Sequence, residues 1–383
     1  MNISAKYNYY PPSPTSDDKP NASLAQLATN VVTDWMPGVP NSVASSFSDL
    51  LGEMLKPEAI DGEDLWIVGP QMTGFEKQWK QVSSWILGVA FCRKVIEDLG
   101  YRWWAPVSAF NSKHRTTFTR HWTAEIPATD CVVKKTNSSI LFPDYVLART
   151  KSDGSGFEVS FAESKGCTKS LTGLVHAPTD WKNQAQNGIF LFCKVPQPIT
   201  QYLLIATRVY PLGQRPKTRR IQVRAWNAKD PDARVSFEAL RDVMVAHYFG
   251  VCERIGLQAN AQLLAIANFV PTTAAEQFLK RLSSREERLL GQARLELQAE
   301  QLGQTSIYTS GRRSLYRVAE NTIRIGLSQP ATNLIRALQS RDQRNNADVV
   351  KHFERDIVST ERLVNLSNRV FVRNDGVIGE LLE

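Results

Sequence analysis

The sequence predicts an α/β protein with a mainly helical carboxy-terminal part, and three observations carry that reading. Two apolar runs rich in β-branched and aromatic residues, 140–149 and 157–162, flank a Gly-rich turn at 151–156. Upstream, Phe75, Trp79, Val82, Ile86, Val89 and Ile96 recur at helical spacing, with Gly100 as a stop. Beyond Val235 the composition shifts to helix formers. A chain of 383 residues has room for two or three domains. The composition shifts divide it into 1–60, 61–235 and 236–383.

The first division is rich in Pro, Ser and Asn, which predicts a poorly ordered arm or an extended segment laid over another surface. A short helix is expected at Ser45–Leu55. The amphipathic helix of 72–99 opens the second division. It is followed by an ambiguous stretch in which 101–110 and 121–126 read as strands. Within it Lys113, His114, Arg115, Arg120 and His121 interleave with Phe118 and Trp122. Cations for phosphates and rings for bases suit a nucleic-acid surface, and an exposed loop over an aromatic core fits equally well.

Next come the two strands at 140–149 and 157–162. Thr179 then caps a helix that Asp180 favours in its first turn, with Lys182 and Gln186 four apart on one face and Gly188 near the end. Residues 201–210 and 219–226 read as neighbouring strands. The loop between them carries Arg215, Lys217, Arg219 and Arg220, a clamp for a phosphate backbone or a solvated loop.

In the last division, 237–255 and 259–269 read as helices, as do 330–339 and 347–364. Residues 273–302 form a long amphipathic element opened by a capping box at Thr273 and Glu276. Asn374-Asp375-Gly376 between apolar runs predicts a closing hairpin. This division is assigned contacts with a second copy or with a partner protein.

Charge points to a polyanion. The net charge is +8, yet residues 101–235 hold 20 Lys and Arg against 9 Asp and Glu, a local +11. Phosphate contacts draw on such an excess. Five cysteines, none in CxxC spacing, argue against a disulfide framework or a structural zinc site. No signal-type apolar core and no run of about 18 apolar residues occurs, so no membrane span and a cytoplasmic location are expected. There is no GxxxxGK[ST], GxSxG or HExxH, and no GxGxxG after a strand.

What chemistry remains lies at 140–166. Glu163 and Lys165 alternate with Ser164 along a strand, so they point the same way, and Asp144 reaches the same patch if the two strands pair. Two carboxylates and an ammonium at one strand end have the composition of a metal site facing a phosphate.

Pro143-Asp144 followed by Glu163-Ser164-Lys165 after a hydrophobic strand resembles the PD-(D/E)xK nuclease superfamily, over roughly a quarter of the chain. The resemblance implies a restriction-endonuclease-like fold, a mixed central sheet flanked by helices, for 61–235. It also implies hydrolysis of phosphodiesters, in DNA rather than RNA, in restriction, transposition or defence. Asp144, Glu163 and the Ser164 carbonyl would hold Mg²⁺, with Mn²⁺ as a substitute, and Lys165 would orient the attacking water. Some members add a Glu from the preceding helix, for which Glu76 and Glu97 are the candidates. In the RecB-like branch a Gln-x-x-x-Tyr helix supports the site, and here Gln186 is followed by Phe190. The nucleic acid would meet Lys113, Arg115, Arg120, Lys182 and the 215–220 cations. The alternative is a catalytically silent nuclease-fold protein that binds nucleic acid or scaffolds a nucleoprotein complex.

Overall fold

A computed structural model describes residues 2–3, 5–10, 22–34, 41–55, 77–111, 113–119, 122–127, 130–151, 153–167, 176–209, 221–229, 233–267, 288, 290–302, 305–311, 315–318, 320–340, 347–364 and 370–382. It is a mixed α/β structure. Its central sheet draws on strands β1 (Ala5–Tyr10), β2 (Trp103–Pro106), β4 (Tyr145–Thr150), β5 (Phe157–Gly166), β8 (Gln201–Val209) and β9 (Ile221–Lys229). They lie in the order β1-β9-β8-β5-β4-β2. Within it β5 and β8 run parallel, as do β9 and β1, and the other neighbours are antiparallel.

The hairpin β4–β5 pairs Tyr145 with Ala162 and Thr150 with Phe157. Its turn works because Gly154 and Gly156 have positive φ, 69° and 149°. The parallel step from β5 to β8 needs a crossover. That crossover contains helix α4 (Thr179–Ala185) and the short strands β6 (Ile189–Phe192) and β7 (Val195–Pro196). With β3 (Cys131–Lys134) these two form a separate antiparallel sheet in the order β7-β6-β3.

Helix α3 (Lys77–Asp98) covers one face of the central sheet. It ends where expected, at Gly100 with φ of +82°. The approach is close enough that a Cβ on Gly166 would stand 2.0 Å from the Ser84 carbonyl oxygen, and one on Gly88 would stand 3.0 Å from Gly166 N. Helix α4 packs on the opposite face, where Trp181 and Ala185 meet Leu204, Ala206 and Trp226. The strand carrying Glu163 and Lys165 is therefore covered on both sides.

Where it is described, the amino-terminal arm fits the second of its two expectations, an extended segment laid on another surface, and adds a helix that was not predicted. Ala5–Tyr10 adds an edge strand to the central sheet, and α1 (Leu24–Val32) is buried at every position. Ser23 caps α1 by accepting from Gln26 N at 3.0 Å. The apolar positions of α1 give it a buried surface that the overall Pro- and Ser-rich composition of this division does not record. Helix α2 spans Asn41–Leu55, longer than the short helix predicted.

The carboxy-terminal part is also less helical than its composition predicts. Helices α5 (Phe237–Arg254), α6 (Gln258–Ala267), α7 (Gln329–Gln339) and α8 (Asp348–Val364) are present. Between and after them run β10 (Gln298–Leu302), β11 (Thr305–Thr309), β12 (Leu315–Val318), β13 (Asn321–Leu327), β14 (Val370–Val372) and β15 (Val377–Leu382). They form a second six-stranded sheet in the order β10-β11-β13-β15-β14, with β12 on β13. The end of the expected long helix is β10. Only β14–β15 was legible as a hairpin, and its turn has Gly376 at φ of +83°.

A continuous buried cluster joins α1, α3, the central sheet, α5, β13 and α7. Charged groups are sealed into it where the carboxy-terminal turn docks. Arg373 pairs with Asp375, stacks on Trp104 at 4.5 Å and donates to Thr33 Oγ1 at 2.8 Å. His247 Nε2 meets Asp375 Oδ2 at 2.7 Å, and Tyr248 donates to the Asp375 carbonyl at 2.7 Å.

Candidate functional site

Strand alternation sets the site's two faces. In the parallel register Glu163 stands beside Leu204 and Lys165 beside Ala206, so both side chains lie on the α4 face. Ser164 points the other way, toward α3, where its Oγ would stand 3.3 Å from a Cβ built on Gly88. Asp144 sits immediately before β4, and the strand pairing brings it to Glu163 as expected.

The contacts between them are reciprocal. Asp144 N donates to Glu163 Oε2 at 3.1 Å, and Ser164 N donates to Asp144 Oδ2 at 2.8 Å. Lys165 Nζ pairs with Glu163 Oε1 at 2.5 Å. Each carboxylate is thus aimed by a backbone N–H of the other's strand. Among the described residues Asp144 Oδ1 accepts no hydrogen bond.

Both carboxyl groups hold protons more tightly than usual. Burial raises the Asp144 pKa from 3.8 to about 6, against the opposing pull of the Ser164 N–H and Lys165. Glu163, 1 % exposed, rises from 4.5 to about 8, first through burial and then through the neighbouring charge of Asp144. At neutral pH the pair therefore carries less than its full double charge unless a cation joins it.

The glutamine that supports the site is Gln184, a correction to the expectation for Gln186. Lys165 Nζ donates to Gln184 Oε1 at 2.8 Å, and Gln184 Nε2 donates to the Phe142 carbonyl at 3.1 Å. Helix α4 ends at Ala185 and Gln186 is its C-cap. Gln184 and Ala185 follow Trp181 by three and four residues, which puts them on its sheet-facing side. Two glutamines stand two apart in AQN-containing sequence, and only the packing of Trp181 decides between them.

Asn187 was not anticipated. Its buried Oδ1 accepts from Thr136 Oγ1 and Asn137 N, both at 2.7 Å. Its Nδ2 donates to the carbonyls of Asn137, Ile140 and Leu141 at 3.0, 2.8 and 3.1 Å. One side chain thereby fixes the loop leading into Pro143-Asp144.

Lys182 is exposed on α4. Lys113 and Arg115 lie in a strand, Lys113–Thr119, paired with Trp122–Pro127 rather than in a loop. Arg120, Arg215, Lys217, Arg219, Arg220 and Glu76 lie outside the described residues.

Glu97 is not at the site. It accepts from Gln26 Nε2 at 2.8 Å and lies near Arg373 and Asp375, with burial raising its pKa to about 8. The reason is helical rise: Gly88 marks the level of Ser164 on α3, and Glu97 is nine residues further on, roughly 13 Å along the axis.

A second layer holds the first. Arg93 of α3 pairs with Asp34, while Tyr145, next to Asp144, donates to Asp34 Oδ2 at 3.2 Å. The Arg93 guanidinium also lies over the Tyr145 ring at 3.9 Å. Asp34 is therefore committed to Arg93 and Tyr145. Among the described residues no group of three or more His, Cys, Asp or Glu stands ready to hold a metal. Asp144 and Glu163 are a pair of hard oxygen donors.

Comparison of the chain with protein families, with characterised proteins and with solved structures finds no match.

Proposed function

We propose that this protein is a metal-dependent nuclease with a restriction-endonuclease-like fold, acting on phosphodiester bonds in DNA. The observation that carries the reading is the convergence of Asp144, Glu163 and Lys165 on one sheet face, with Gln184 holding the ammonium. The order of a parallel β5–β8 step with an antiparallel β4–β5 hairpin is consistent with it.

The residues present fit Mg²⁺. Asp144 and Glu163, with the Ser164 carbonyl, would hold the ion, and Mg²⁺ commonly takes only one or two carboxylates and keeps several waters. Among the described residues Asp144 Oδ1 accepts no hydrogen bond, which leaves it open to a cation that displaces the proton held by the pair. When bound, such an ion lowers the pKa of a coordinated water and offsets charge on the phosphate.

The chain's own groups do the rest. Lys165 is held between Glu163 and Gln184, so its ammonium would stabilise negative charge developing on a phosphate bound at the carboxylate pair. Gln184 and Asn187 fix the loop that presents Asp144. The basic excess of 101–235 supplies attraction for a polyanion.

Incubation of the full chain with circular DNA, linear DNA and RNA, with Mg²⁺, Mn²⁺ or chelator, tests this. Cation-dependent cleavage of DNA is expected, and Asp144→Ala and Lys165→Ala should each abolish it with the fold intact. Undiminished cleavage by both variants sinks the proposal. Nucleic-acid binding with no cation-dependent cleavage under any condition supports a silent, scaffolding role instead.

A further inference from the structure

Behind the candidate site, on the α3 face of the central sheet, three buried groups close a triangle. Arg93 of α3 pairs with Asp34, Tyr145 donates to Asp34 Oδ2 at 3.2 Å, and the Arg93 guanidinium lies over the Tyr145 ring at 3.9 Å. Tyr145 faces α3 because it pairs across the hairpin with Ala162, two residues before Ser164 on the same strand. Glu163 and Lys165 lie on the α4 face, so the sheet separates the triangle from anything bound there. Tyr145 is nonetheless the residue next to Asp144, and the charges of Arg93 and Asp34 both reach the Asp144 carboxyl.

Stability alone does not account for the triangle. Among the described residues only Nη2 of Arg93 meets an acceptor; Nε and Nη1 have no hydrogen-bond partner, although the side chain is 1 % exposed. Its other neighbours are rings, Tyr145 and, at 4.8 Å, Trp104. Arg373 shows the contrast: its Nε and Nη2 reach Asp375 and its Nη1 reaches Thr33. Apolar side chains of similar volume in place of a buried ion pair are often as stable or more so. What a paired, planar guanidinium supplies instead is a fixed orientation, here for the Tyr145 ring stacked on it. The backbone beside that ring is part of the carboxylate lock. Asp144 N donates to Glu163, and the Asp144 carbonyl accepts from Val107 N at 2.9 Å.

We infer that Arg93 is a positioning residue for the carboxylate pair: with Asp34 it orients Tyr145, and Tyr145 sets the backbone from which Asp144 meets Glu163 and Ser164. The inference rests on the reading of that pair as the site, but its first measurement needs neither cation nor substrate. The amides of Asp144 and Ser164 each donate to one of the two carboxylates, so their hydrogen exchange in the full chain reports the lock directly. Arg93→Met alone should destabilise the chain by leaving Asp34 without its cation. Arg93→Met with Asp34→Asn removes both charges and should restore most of that stability. In this double variant, exchange at Asp144 and Ser164 should be about tenfold faster or more, with the amides of Leu203 and Ile205 in β8 unchanged. Its Mn²⁺ affinity should fall about tenfold to a hundredfold. Tyr145→Phe, which removes one hydroxyl and no charge, should move both readouts the same way by about threefold.

Restored stability with parental exchange at both amides overturns the inference and leaves the triangle a structural ion pair. Exchange that quickens equally at Leu203 and Ile205 also overturns it, as does a Tyr145→Phe chain in which neither readout moves. Faster exchange confined to Asp144 and Ser164, in a protein that binds no Mn²⁺ and cleaves nothing, upholds the positioning and refutes the nuclease reading. Parental exchange and Mn²⁺ affinity in the double variant of a chain that does cleave refute the positioning alone.

Discussion

Gln184 Oε1 accepts a hydrogen bond from Lys165 Nζ at 2.8 Å, joining the end of α4 to the end of β5. A hydrogen bond to a charged group contributes about 1.5–3 kcal/mol, and 1.36 kcal/mol is tenfold in rate. Gln184→Ala is therefore expected to lower kcat for DNA cleavage by about tenfold or more. Gln186→Ala, one residue past the helix, should stay within about twofold. Single-turnover cleavage of one labelled duplex by both variants checks the assignment, and a larger loss in Gln186→Ala would reverse it.

Cation binding should expel a proton. With the Glu163 pKa raised to about 8, the carboxyl pair still holds a proton at pH 7 that a divalent cation must displace. Calorimetric titration with Mn²⁺ in two buffers of different ionisation enthalpy should show close to one proton released per ion. The release should fall toward zero by about pH 9, above the raised pKa. Glu163→Gln should release none near neutrality, and identical heats in both buffers for the parent chain would contradict the expectation.

Stability should move with pH in a direction set by the same group. A carboxyl whose pKa rises on folding stabilises the fold below its unfolded value, and that contribution is lost as pH rises through the folded value. For Glu163 the window runs from about 4.5 to about 8. In the absence of divalent cations, Glu163→Gln should gain several degrees in Tm over the parent at pH 8.5 and little at pH 4.5. Thermal unfolding at a series of pH values reads this directly.

Gly166 admits no larger residue. A Cβ there would stand 2.0 Å from the Ser84 carbonyl oxygen, which the backbone of α3 holds in place. Gly166→Ala should destabilise the protein by about 1–3 kcal/mol or more and shift Lys165, its chain neighbour. Chemical denaturation together with cleavage rate tests both effects; Gly154→Ala, where a Cβ meets nothing within 4 Å, separates backbone strain from crowding.

The carboxy-terminal turn should behave as part of the core. Removing one partner of a buried ion pair typically costs about 3–5 kcal/mol, and Arg373 and Asp375 are 1 % and 0 % exposed. Arg373→Met is expected to destabilise on that scale, and the Arg373→Met/Asp375→Asn pair by clearly less than the sum of the two single changes. A double-mutant cycle in urea measures the difference.

Much of the central architecture was legible in the sequence because its signals are local. Alternation along Phe157–Gly166 placed Glu163 and Lys165 on one face, Gly100 ended α3, and Asn374-Asp375-Gly376 marked its hairpin. Ser164 was read correctly as pointing away. Pairing of β4 with β5 then brought Asp144 to Glu163 without further assumption.

Other features depend on packing between distant segments, which no local pattern records. The choice of Gln184 over Gln186 follows from Trp181 seating α4 on Leu204, Ala206 and Trp226. Glu97 is drawn to Gln26 and the carboxy-terminal turn by its height along α3. The second sheet escaped because its short strands lie among strong helix formers, and their cross-strand partners lie up to about 60 residues away, as for Thr322 and Leu382. Residue chemistry and strand periodicity thus determined which groups this protein can bring to bear, and long-range burial decided which of them meet.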